Sequence, residues 1–465
     1  MSGIFGVVSQ ENCVRDLFHG TDYHSHMGAE RAGLAVLGDS LNHEIHRLGA
    51  DQFRGKFDHT LSELEGNQGI GVITGIRESQ PLIVGSKMGN FALVLLGLVT
   101  NVEELAERLQ AEGHVFSEMS DGKISSVEVA AKVIAQGEDY VDGITSLFEQ
   151  IEGSASVMLL TQEGDIYAAR DKHGRTPLVV GTRNGSIAVA SESCAFVNLG
   201  YTITKSLQPG EIYRISEGKC LQVKEGKPDD LQICSFLWIY TSFPASSPEG
   251  IQVESVRENC GRALAKRDDV EVDCASGVPD SGSGHGLGYA AEKGVPFRRP
   301  LVKYTPSYGR SYTPVSQEER DYIARMKLIP NEAIIQDQRI ILCEDSIVRG
   351  TQLKNETVRK LWQAGAKEIH VRPACPPLMF PCIFLSSTRK IDELAARRAI
   401  RALEGRDIED VSAYLDPDSS EYQQMVEWIK QDLNITSLRY QLLDDMVEAI
   451  GLPKESLCLH CWRGC

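Results

Sequence analysis

Positive charge is scarce in this chain. Its 465 residues carry 48 Lys and Arg against 65 Asp and Glu, for a formal net charge of −17. Neither a nucleic-acid backbone nor an anionic membrane surface would be drawn to such a protein, and an anionic substrate would need a locally basic pocket. Long apolar runs are also missing. No stretch of ~18 apolar residues occurs, and no charged leader with a short apolar core opens the sequence, so it reads as soluble, intracellular and cytoplasmic. Internal repeats and low-complexity tracts are absent as well. What is present is apolar residues at 42%, enough for packed cores over a length that suggests two or three domains. The 12 cysteines read as thiols or metal ligands, because a reducing compartment disfavours disulfides.

The texture changes along the chain. Through residue 230, short apolar segments such as "GIFGVVS", "FALVLL", "SASVMLLT", "SIAVASE" and "GEIYRIS" are bounded by turn residues and predict strands. Helical spacing appears in "NVEELAERLQAEG" and "SSVEVAAKVIAQG". This is an α+β pattern of antiparallel sheets with helices packed on them. After "LWIYTSFPASSPEG", helical and apolar-strand segments alternate to about Pro377, which predicts a parallel sheet. Residues 391–465 are charged and helical and close on "CLHCWRGC". The expected division is 1–230, 231–390 and 391–465.

The strongest local signal is "QRIILCEDSIVRGTQLKNETVRKLWQAGAKEIHVRP", one βαβ unit. Ile340 to Cys343 form a buried strand, Leu353, Val358 and Leu361 share a helix face ended by Gly365, and Ile369 and Val371 open the next strand. Between strand and helix, Glu344 and Asp345 precede small residues running to Thr351. Backbone amides and the helix dipole there suit a phosphate. The acidic pair suits ribose hydroxyls or Mg²⁺.

This loop resembles the phosphoribosyl pyrophosphate (PRPP) signature of type I phosphoribosyltransferases, and "DSIVRGT" narrows the likeness to the glutamine PRPP amidotransferase family of purine biosynthesis. "GVPDSGSGHGLGYA" resembles that family's pyrophosphate loop, "YGRSY…ARMKLIP" its flexible loop, and "YAARDKHGRTPLVVG" and "HVRPACPP" further segments. The likeness implies an N-terminal Ntn-hydrolase-like αββα glutamine amidotransferase domain, an α/β type I phosphoribosyltransferase domain and a helical C-terminal extension. It implies that Asp280, Ser281 and Gly282 face pyrophosphate and that Lys303, Arg310, Arg325 and Lys327 supply positive charge. Glu344 and Asp345 would hold ribose and Mg²⁺; Ser346, Arg349, Gly350 and Thr351 would hold the 5′-phosphate. "KYTPSYGR" is one residue longer than the family's usual segment and lacks its first Arg.

Cys458 and Cys461 have a C-x-x-C spacing, which by itself fits a zinc knuckle or exposed thiols as well as a cluster. Cys234 and Cys382 fall where iron–sulfur members of the family have their other ligands. The likeness therefore implies a structural [4Fe–4S] cluster on these four, with zinc the alternative. Cys13, Cys194, Cys220, Cys260, Cys274, Cys343 and Cys375 read as buried small hydrophobes.

At the other end stands Ser2. After Met removal its α-amine could activate the hydroxyl, or Ser2 is merely the start of a buried strand. Family members carry Cys at this place. Their Arg clamp for the glutamine carboxylate, their oxyanion Asn and their Asp for the α-amine are matched here by Thr74, Leu96 and Ser126. One lost oxyanion donor costs ~100- to 1,000-fold, so the glutaminase half-reaction is expected to be lost. The expected function is formation of phosphoribosylamine from PRPP and ammonia or another amine, with a separate ammonia source possible. The alternative is a non-catalytic PRPP- or nucleotide-binding regulator or partner subunit. Family precedent implies a homo-oligomer, a tetramer.

Overall fold

Alternation along the first strand builds the N-terminal half. In β1 (Ser2–Val8), successive side chains leave opposite faces. Ile4 and Val8 enter an apolar layer with Val94, Leu96, Met158 and Leu160 of a second sheet. Phe5 and Val7 turn the other way, onto Val14, Leu17 and Phe18 of the helix Val14–Asp22. Both faces are buried, which is why the strand reads as an unbroken apolar run. Gly6 is forced by this packing: a Cβ there would lie 2.2 Å from the Met158 sulfur.

The structure is a computed structural model that describes residues 2–28, 30–48, 52–120, 122–304, 326–385 and 390–464. The first sheet has seven antiparallel strands and includes β1, β2 (Arg31–Leu37), β3 (Leu41–Arg47) and β4 (Gln68–Thr74), with β3 at one edge. A six-stranded sheet containing β5 (Gly89–Val99) faces it. Outside that sheet lie the helices Val102–Ala111, Ser126–Gln136 and Tyr140–Gln150, packed on Phe91, Leu93 and Leu95. The layers are αββα, as expected. Gly137 ends the middle helix for want of room rather than for a left-handed turn, since a Cβ there would meet the Gly143 nitrogen at 2.4 Å.

The second half is a parallel sheet in the order β6 (Cys274–Gly277), β7 (Arg339–Glu344), β8 (Glu368–Pro373) and β9 (Ser437–Leu438). Alternation in β7 again serves two layers. Ile340 and Leu342 pack with Leu353, Leu361, Ile400 and Ile429, while Ile341 and Cys343 pack with Leu264 and Tyr289. β9 and the helices Ala395–Glu404 and Ser420–Leu433 come from the C-terminal segment and complete this sheet and its cover. No helix among the described residues is long and apolar enough to cross a membrane. The cysteines expected in cores are buried except Cys220, which is half-exposed on the edge strand Lys219–Lys224.

One buried ion pair spans this core. Asp268 accepts from Arg372 through Nε at 2.5 Å and Nη2 at 3.0 Å, and from the Tyr289 hydroxyl at 2.9 Å. Burial alone would push the Asp268 carboxyl up, but Arg372 and Tyr289 hold it below the usual range. Its contribution is therefore complete above the unfolded-state value of ~4 and is lost as pH falls through the depressed value. Asp268→Asn strands a buried guanidinium and is expected to cost about 3–5 kcal/mol in urea unfolding at neutral pH, with the difference from wild type shrinking on acidification.

Candidate active site

Two loops meet at the carboxyl ends of β6 and β7, the edge where open α/β sheets bind ligands. After β6 the chain doubles back so closely that a Cβ on Gly277 would lie 2.0 Å from the Gly282 carbonyl oxygen, and one on Gly282 would lie 2.4 Å from that of Cys343. The Val278 amide donates to the Cys343 carbonyl at 2.9 Å, stitching the two loops together. Asp280, Ser281 and Gly282 lead into the helix Ser283–Lys293. Asp280 is exposed and pairs with Lys303 at 2.5 Å. Lys303 lies on the strand Leu301–Lys303, whose partner Leu328–Pro330 follows Lys327 directly. These short strands form the base of the expected flexible loop; Arg310 and Arg325 lie outside the described residues.

After β7 come the acids. Glu344 and Asp345 are both buried. Burial, and then the neighbouring Asp345 carboxylate, push the Glu344 carboxyl well above its ordinary range. Ser346 donates to Asp345 Oδ1 at 2.7 Å. Gly350 adopts φ 75°, a left-handed turn that a side chain resists, and delivers Thr351 to the start of helix 351–363. The Leu353–Val358 part of that helix is π-wound. The Arg349 guanidinium pairs with Glu393, leaving backbone amides and hydroxyls as the donors the loop can offer. Behind the acids lies Arg257, which sequence reasoning missed. It is buried, donates to the Trp238, Tyr240 and Ser242 carbonyls at 2.9–3.0 Å, and feels the Asp345 charge.

The four expected cluster cysteines come together from separate segments. Cys234 and Cys458 are register partners in a two-strand parallel bridge. The Cys461 carbonyl accepts from the Met379 and Phe380 amides at 2.9 and 3.1 Å, tying it to the Cys382 loop. A hydrogen bond from Cys461 lowers the Cys382 thiol to about 6, while the same bond pushes the Cys461 thiol up and burial pushes up those of Cys234 and Cys458. No three of these sulfurs lie within 4.8 Å of one another. A single tetrahedral zinc with bonds of ~2.3 Å would hold its thiolates roughly 3.8 Å apart. Arg175, also missed by sequence reasoning, is buried beside them, stacked 3.4 Å over Phe384, and its Nε has no hydrogen-bond partner.

In the N-terminal half, Ser2 is buried and its Oγ lies 2.9 Å from Thr74 Oγ1. The Ser126 hydroxyl donates to Glu78 at 2.6 Å, and Leu96 is sealed in the layer between the sheets.

The amidophosphoribosyltransferase of Methanocaldococcus jannaschii is 30% identical over 490 aligned positions, covering 100% of this chain and 97% of that protein. The chain belongs to the amidophosphoribosyltransferase family. The Bacillus subtilis amidophosphoribosyltransferase is likewise 30% identical, over 99% of this chain and 93% of its own. A family model described as a glutamine amidotransferase domain matches residues 69–198. Among solved structures, the glutamine PRPP amidotransferase from B. subtilis complexed with ADP and GMP superposes with a TM-score of 0.84 at 28% identity, covering 100% of this chain and 96% of that one. The expected fold, an Ntn-type glutamine amidotransferase domain joined to a phosphoribosyltransferase domain, is that of the amidophosphoribosyltransferases.

Proposed function

We propose that this protein forms 5-phosphoribosylamine from PRPP and free ammonia, or another amine, and that its N-terminal domain no longer hydrolyses glutamine. The observation that carries the first half is the seating of loops 278–283 and 344–351 side by side, the second opening on a buried acidic pair. The amine nitrogen attacks C1 of the ribose, the bond from C1 to the pyrophosphate oxygen breaks, pyrophosphate leaves with the electron pair, and the new C1-bound nitrogen gives up one proton to water. The loop amides up to Thr351 grip the 5′-phosphate, Asp345 and Glu344 orient the ribose hydroxyls, and Lys303 and Lys327 with the charges of the flexible loop offset the leaving group. Glu344 and Asp345 would also hold Mg²⁺, an oxygen-ligand ion that neutralises pyrophosphate charge when bound. Incubation with PRPP, Mg²⁺ and ammonia should release pyrophosphate; no release above background would overturn the reading.

Cys234, Cys382, Cys458 and Cys461 would hold a [4Fe–4S] cluster of structural role. The convergence of four cysteines from separate segments, with the Arg175 cation beside them, supports an anionic thiolate-bound centre here. We further propose a cytoplasmic homo-oligomer, in keeping with family precedent.

Loss of the glutaminase is supported by the Ser2–Thr74 and Ser126–Glu78 hydrogen bonds, which occupy groups that would otherwise face glutamine. Wild type, Ser2→Ala and Ser2→Cys are expected to show the same background glutamine hydrolysis with PRPP present, and equal ammonia-dependent pyrophosphate release. Hydrolysis in wild type that vanishes in Ser2→Ala would reveal a working nucleophile.

A further inference from the structure

Far from these loops, the edge strand β3 gathers three ligand-type side chains. Glu44 and His46 are two residues apart and so share a face of the strand. His59 sits between the short helices Phe53–Phe57 and Thr60–Glu63, which cross over that face. Among the described residues, these three form the group whose metal-ligating atoms all lie within 4.8 Å of one another. Both imidazoles aim Nε2 at the same oxygen, Glu44 Oε1, with His59 at 2.8 Å and His46 closer still. The other carboxylate oxygen accepts from the Thr60 hydroxyl at 2.5 Å, which fixes the carboxylate plane. His46 is held in turn by the fully buried Phe57, edge-on with ring centroids 4.8 Å apart.

Two imidazole nitrogens and a carboxylate oxygen that converge on one point, with the second carboxylate oxygen anchored by the Thr60 hydroxyl, make up the donor set and the outer support of a divalent-cation site. We propose that Glu44, His46 and His59 bind one zinc-class divalent cation, with water in the remaining position, as a staple that fastens the 53–63 segment onto edge strand β3. Two imidazoles and a carboxylate suit zinc better than Mg²⁺ or Ca²⁺, which take oxygen ligands. His59 is 49% and His46 31% exposed, so an ion can enter from solvent and water can complete its shell.

The test titrates Zn²⁺ into the full-length protein, then repeats the titration on Glu44→Gln and His59→Gln; His46 is left in place because it packs against Phe57. Wild type should bind one more equivalent than either variant, or bind it at least about 100-fold more tightly, since even the loss of an outer partner costs ~10- to 100-fold. Co²⁺ at this site should give d–d absorption without thiolate charge transfer, which separates it from the cysteines. Zn²⁺ should raise the melting midpoint of wild type and leave that of His59→Gln where it was. Identical stoichiometry and affinity in all three proteins, or a Co²⁺ spectrum carrying thiolate charge transfer and unaltered in His59→Gln, would overturn the proposal.

Discussion

Asp345→Asn is expected to abolish measurable PRPP binding while leaving the melting midpoint close to that of wild type. The change is nearly isosteric, lies in the loop after β7, and leaves the Ser346 hydroxyl an oxygen to donate to. What is lost is a full negative charge where ribose hydroxyls and a cation are to be held. Hydrogen bonds to a charged group contribute about 1.5–3 kcal/mol each. Two of them amount to roughly 100-fold or more in affinity, at about 1.4 kcal/mol per factor of ten. Glu344→Gln should behave differently. Glu344 already carries its proton well above the ordinary carboxylate range, so glutamine imitates it at low pH, and the variant should fall behind wild type only as pH rises past the point where Glu344 ionises. Titration calorimetry across pH checks both statements. Undiminished PRPP affinity in Asp345→Asn would remove the transferase assignment of this loop.

Cys458→Ser should turn a brown, anaerobically purified protein colourless, with iron and acid-labile sulfide lost together. Stability should drop with them, because the site joins segments that lie far apart in sequence: Cys234 and Cys458 bridge two strands, and Cys382 and Cys461 bring in a loop and the last helix. A centre assembled from such pieces binds the folded chain and not the unfolded one, so its binding energy adds to folding. The apolar cluster around it, with Trp238, Leu378, Met446 and Trp462, loses its anchor with the metal. Metal analysis, visible spectra and thermal melting read the three effects. Stoichiometric zinc with no sulfide in the wild type would replace the cluster by a mononuclear site.

The phosphate loop could be seen in the sequence because it is local: strand, acids, turn glycine and helix follow one another within the stretch 340–363. The αββα half was also legible, since strands buried on both faces leave continuous apolar runs. Pairs made by distant segments were not. Asp268 and Arg372 stand 104 positions apart, and neither looks different from a surface charge until β8 carries the arginine to the aspartate. Arg175 sits in a turn-like "KHGRT" whose meaning depends on where the cysteines go. His59 joins Glu44 and His46 only once two short helices fold back over β3. β9 is too short for any periodicity to show.

That last strand also sets an order of events during synthesis. Every strand of the N-terminal sandwich has been made by Lys224, whereas the parallel sheet waits for β9 and the sulfur set for Cys461. The gap is roughly 200 residues, on the order of 10–40 s at translation rates of ~5–20 residues per second. For that interval the nascent chain carries a finished first half and an unfinished second half, and from Pro373 until Ser437 is made its apolar strand β8 has an open edge. The N-terminal domain is thus the part that must stand alone first, and the chain's exposure to misassembly is concentrated in the final stage of its making.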